Sequence, residues 1–121
     1  MSSAADAYLR TSHSTSSPRE IEAQALLKAA RQLQEVQANW AGSDKKLHSA
    51  LLFNRRLWSI FMSAAEGNDN PQPIEIRQNI ANIAVFVMKQ TIDMQMNPDP
   101  AKLKSLIEIN CNLAAGLSGR G

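Results

Sequence analysis

One cysteine, Cys111, stands in a chain of 121 residues, so no disulfide can close within it and no thiolate cluster can hold zinc. A reducing compartment is expected. Aromatic residues amount to 5%, and valine and threonine are sparse, which removes the composition expected of a sheet. No stretch approaches the roughly 18 apolar residues of a membrane span, and the N-terminal residues lack the apolar run of a secretory signal. A cytoplasmic protein that does not enter a membrane is therefore expected. Charge of one sign is not in excess either. Thirteen Lys and Arg face eleven Asp and Glu, scattered singly or in pairs, whereas nucleic-acid binders concentrate basic residues on one face. Also missing are a glycine-rich phosphate loop, an HExxH pair and the E-x-x-H pairing of a bundle metal site. His13 and His48 lie far along the chain from Cys111, which is read as a small buried hydrophobe. No catalytic residue, metal ligand or cofactor is expected.

What is present is a 44% hydrophobic content arranged at helical spacing and punctuated by capping residues. "SPRE", Ser17 to Glu20, supplies an N-cap serine, a proline at the first helical position and a glutamate three residues after the cap. Leu26, Ala29, Ala30, Leu33, Val36 and Trp40 then recur on one face. Gly42-Ser43-Asp44 ends this helix and caps a second, running from about Asp44 to Glu66. After "GNDNPQP", Pro73 is placed to open a third helix that reaches about Met96. Asp99 and Pro100 repeat the device for a fourth, striped by Leu103, Leu106, Ile107, Leu113 and Leu117.

The predicted class is all-α: a small single-domain bundle of about four main helices, mostly up-and-down because the connections are short. It spans 18–117, between a mobile N-terminal arm (1–17), with a possible helical turn around Tyr8 and Leu9, and a disordered tail (118–121).

Three polar residues interrupt "LLFNRRLWSIF", Leu51 to Phe61. At about 100° per residue, Asn54 falls near the centre of the apolar face with Trp58 beside it, Arg55 at its border and Arg56 on the wet side. Asn110 repeats the anomaly on the fourth helix. A buried amide needs partners, so Asn54 and Asn110 are read as structural, paired with each other or sharing a water, and Trp58 as core. The third helix differs: "IANIAVFVM" is apolar nearly all round, as befits either the most buried helix or one facing both core and partner. Its Arg77 lies inside the apolar arc, and Phe86 lies among Glu75, Asn79, Asn82, Gln90 and Asp93. Arg55, Arg77 and Phe86 are thus the candidate partner-binding residues. A rival basic patch combines Lys45, Lys46, Arg55 and Arg56.

"SPREIEAQALLKAARQLQ", "ALLFNRRLWSIF" and "NPQPIEIRQNIANIAVFV" resemble the corresponding blocks of the FlaF family, flagellar biosynthesis regulators of alphaproteobacteria. Asn54-Arg55-Arg56-Leu57-Trp58 and Ile76-Arg77-Gln78-Asn79 are the most specific pieces. The resemblance implies a cytoplasmic non-enzyme that promotes flagellin synthesis and secretion. Its implied partner is unassembled flagellin, with the translational repressor FlbT acting in opposition. The alternative it leaves open is a translational regulator touching flagellin mRNA or FlbT through basic side chains.

Overall fold

The computed structural model describes residues 17–67 and 72–119. Its elements are α1 (Pro18–Ala38), α2 (Asp44–Glu66), α3 (Ile74–Met96), a 3-10 turn (Pro100–Lys102) and α4 (Leu103–Leu117), with no strand among the described residues. The expected all-α class and four helices are therefore found. Residues 1–16 of the expected N-terminal arm and most of the "GNDNPQP" loop lie outside the described residues, as do the last two residues of the expected tail.

Local chemistry explains most of the boundaries. Ser17 accepts a hydrogen bond from the Glu20 N–H at 3.2 Å, and Pro18 follows at the position where a missing donor costs nothing. α1 stops before Trp40, earlier than its apolar stripe, because Asn39 turns back on it. Both the backbone N–H and the side-chain amide of Asn39 donate to the Glu35 carbonyl. Gly42 then adopts a φ of +79°, a left-handed conformation that glycine reaches without steric cost. Ser43 precedes α2 as expected but caps nothing with its side chain. Its hydroxyl donates instead to the Trp40 carbonyl at 2.6 Å, tying the turn to the end of α1. Pro73 occupies the position just before α3, one residue earlier than the sequence suggests. Asp99 accepts from the Ala101 N–H as anticipated, but the turn it starts is 3-10 before it relaxes into α4.

Side-chain size sets the packing. α1 buries four alanines, Ala23, Ala25, Ala29 and Ala30, whose small side chains let neighbouring helices approach closely. α1 and α4 share the most extensive contact among the described elements, followed by α2 with α3 and α1 with α2. α3 and α4 barely meet. The chain runs up and down, since the beginnings of α1 and α3 and the ends of α2 and α4 line one common cleft. At the opposite end, Gln37 donates to the Pro100 carbonyl at 3.0 Å, and Lys102 bridges Asp93 at 2.9 Å and the Asn97 carbonyl.

Candidate functional site

The polar residues of the core form one chain. The Trp58 indole N–H donates to Asn110 Oδ1 at 3.0 Å, and Asn110 Nδ2 donates to Asn54 Oδ1 at 2.7 Å. All three side chains are fully buried. The donor-only indole fixes the orientation of both amides: Asn110 must turn its oxygen to Trp58, so its NH2 faces Asn54, which must then present its own oxygen. Asn54 Nδ2 is left buried without a partner. Flipping Asn54 would place two NH2 groups against each other. The expectation of paired, structural asparagines is met, and Trp58 is core, edge-on to Phe61 with ring centroids 5.4 Å apart.

Arg77 is engaged within the fold. Its Nε donates to the Ala65 carbonyl at 2.8 Å and a terminal nitrogen donates to the Gly67 carbonyl at 3.0 Å. These carbonyls close the C-terminal end of α2, where intrahelical donors run out and a cation is favoured by the helix dipole. Its position within the apolar arc of α3 is thereby accounted for without a carboxylate. Phe86 is exposed, and Arg55 is exposed on α2. The three residues do not converge. Arg77 and Phe86 are nine residues apart, half a turn out of phase on α3, and Arg55 lies ten residues, ~15 Å, up α2 from Ala65.

What sequence reasoning missed is a second seam on α3. Ile80, Ala84, Val87, Thr91 and Met94 alternate three- and four-residue steps and face the core. Ile74, Ala81, Val85, Met88 and Ile92 recur at similar steps, rotated by about 100°. In this second set Ala81 and Met88 are half-buried, while Ile74, Val85 and Ile92 are 67%, 41% and 54% exposed. With Ile76, Phe86 and Met96 they are the exposed large hydrophobics of the described residues, and all six belong to α3. The signal was legible as a run apolar nearly all round. What it lacked was the assignment of one seam to the core, which only the position of α2 supplies.

Among the described residues, two clefts flank this architecture. One, of about 320 Å³, opens where α3 and α4 fail to meet, walled by Phe61, Ile80, Ile83, Leu113 and Leu117, with Arg19 and Glu22 at its α1 edge. Burial raises the pKa of Glu22, and nearby Arg19 offsets part of that. The other, of about 530 Å³, lies between α1 and α2 and gathers Lys45, Lys46 and Arg56 with Glu35 beside Phe53. Three of the four residues of the rival basic patch therefore share a cleft, and Arg55 does not line it. Among the described residues no group of three or more His, Cys, Asp or Glu is placed to hold a metal, and no helix is long and apolar enough to cross a membrane.

The sequence model of the flagellar protein FlaF family matches residues 4–117. The chain belongs to the FlaF family. No curated protein and no solved structure matches it. Within this FlaF chain the family match spans all four helices and the seam of α3, and it extends upstream of Ser17.

Proposed function

We propose that this protein is a non-enzymatic flagellar regulator that binds unassembled flagellin in the cytoplasm and promotes its synthesis and secretion as an export chaperone. The observation that carries the reading is that the six exposed large hydrophobics of the described residues all lie on α3. Scattered singly, such residues need no explanation; Ile74, Val85, Ile92 and Met96, which fall within about 40° of one line along the helix, form an apolar stripe that an amphipathic partner helix fits, with Phe86 about 100° to one side. The terminal segments of a flagellin subunit, before assembly, are expected to carry such helices. Val85, Ile92 and Phe86 are the proposed anchors, with Arg55 at the rim. Arg77 supports the surface by fixing the start of α3 against α2.

A second reading draws on the α1–α2 cleft, where Lys45, Lys46 and Arg56 face one carboxylate, Glu35. Flagellin mRNA, or the regulator FlbT through an acidic surface, is the partner it implies. Titration of monomeric flagellin with wild type, Phe86→Ala, Ile92→Asp and the exposed control Lys104→Ala separates the two. Anchor substitutions at the centre of a helix-in-groove interface cost about 2 kcal/mol or more, close to thirtyfold in Kd, while the control costs little. Absence of flagellin binding at micromolar concentrations sinks the first reading. Tight mRNA binding with a steep salt slope, lost in Lys45→Ala/Lys46→Ala, establishes the second.

A further inference from the structure

The exposed seam of α3 is bordered differently on its two sides. Along it, Ile74, Gln78, Ala81, Val85, Met88 and Ile92 step by four and three residues in turn, the spacing of a helix that pairs with another helix. On the core side it is bordered by Arg77, tied to the Ala65 and Gly67 carbonyls, and by the fully buried Ala84 and Thr91. That border is already occupied. The other border carries Glu75, Asn82 and Lys89, one heptad apart and all exposed. Neither Glu75 nor Lys89 forms an ion pair with a described residue. The open border thus holds one free anion and one free cation, two heptads apart.

That arrangement is complementary to itself. A two-fold axis level with Ile83 lays α3 of two copies antiparallel, and residues equally far before and after Ile83 then meet across the seam. Ala81 meets Val85 of the second copy, Gln78 meets Met88, and Ile74 meets Ile92. The alanine at the centre lets the two backbones approach. On the open border, Glu75 of each copy comes level, to within about 3 Å along the axis, with Lys89 of the other, and Asn82 faces Asn82. In a parallel pairing Glu75 instead lies level with Glu75, ~21 Å from Lys89. Charge therefore selects the antiparallel orientation.

We propose that α3 pairs antiparallel with α3 of a second copy through this seam, so that the protein covers its own partner-binding face until a partner helix displaces the second copy. The displacement rests on the flagellin-binding reading above; the pairing does not. The shared strip runs from Ile74 to Ile92, ~27 Å, and is about one helix, ~10 Å, wide. This is well below the ~800 Å² per partner of a standard stable interface, so the association is weak and reversible, as a face that must be released requires. On dilution each bundle stands alone on its own core.

Sedimentation equilibrium of the full chain without flagellin tests the pairing, so that its failure and a failure of flagellin binding are separate results. A reversible monomer–dimer equilibrium in the micromolar range is expected, and a chain that stays monomeric up to about 1 mM overturns the proposal. Glu75→Lys and Lys89→Glu each turn two symmetry-related attractions into repulsions and should weaken the dimer about tenfold. An equimolar mixture of the two variants should associate as wild type does, because each chain then supplies the charges that the other lacks. Undiminished association of the single variants overturns the proposal, and so does a mixture that does not recover. Circular dichroism of dilute samples should show wild-type helix content in both variants, since both positions are exposed. Register has its own readout: a short bismaleimide should join two chains through Asn82→Cys in a Cys111→Ser background and not through Lys104→Cys on α4. The opposite pattern places the contact elsewhere and overturns the pairing. Monomeric flagellin should lower the dimer fraction of wild type, and a dimer fraction unchanged while flagellin is bound overturns the displacement.

Discussion

Asn54 and Asn110 show how much a single hydrogen-bond direction decides. Because Trp58 can only donate, Asn110 sits between two obligations, and Asn54 ends the chain with one NH2 unpaired. Removing the end link is therefore milder than removing the middle one. Asn54→Ala orphans one donor, on Asn110, while also deleting an amide that was itself unsatisfied; a loss of ~1–3 kcal/mol is expected. Asn110→Ala orphans the indole N–H and leaves Asn54 with no partner at all. Its urea midpoint should fall below that of Asn54→Ala, with equal m-values if both remain two-state. The reverse order would mean that the network is oriented differently. The need for partners was readable from helical projection alone, since both asparagines fall among leucines and isoleucines. Their pairing with Trp58 was not, because nothing local relates residues 52 and 56 positions apart.

At the scale of the element, helix ends were the most legible feature. Ser17, Pro18 and Asp99 act through neighbours two or three residues away, so their roles follow from sequence and were found as expected. Ser43 departs from expectation because its hydroxyl donates to the Trp40 carbonyl just past the end of α1, which also accepts from the Ser43 backbone N–H. Arg77 caps a helix to which it does not belong. Arg77→Ala should destabilise by ~1.5–3 kcal/mol, the range for hydrogen bonds to a charged group, and fraying should concentrate at Ala64–Gly67. Arg77→Lys should recover only part of this, because a single ammonium does not reproduce the guanidinium fork that spans two carbonyls. Thermal melts and exchange at the C-terminal turn of α2 measure both. Unchanged stability in Arg77→Ala, together with lost partner binding, would return Arg77 to the interface.

Across the whole molecule, the bundle is asymmetric: α1 with α4 and α2 with α3 are close pairs, and the fourth side stays open. One consequence is that α3 serves two seams, only one of which stabilises the fold. Val85→Asp and Ile92→Asp should change stability by no more than ~0.5 kcal/mol, as exposed positions do, whereas Val87→Asp and Met94→Asp should prevent folding by burying a charge. Circular dichroism melts of the four variants test the division. Collapse of Val85→Asp would show that the exposed seam is held by the chain itself.

The sequence by itself determined the helices, the Ser17 and Asp99 caps, the all-α class and the buried asparagines, since each depends on residues within a turn or two of one another. Its resemblance to the FlaF family also emerged at that level, from blocks of contiguous residues that the match over 4–117 spans. Only the tertiary structure decided which apolar seam of α3 faces α2, where the Arg77 guanidinium ends, and that α3 and α4 stand apart. Periodicity reports that a helix has apolar faces and says nothing of which neighbour covers each. That choice is made by relative helix placement, which depends on side-chain volumes across the core, the buried alanines of α1 among them.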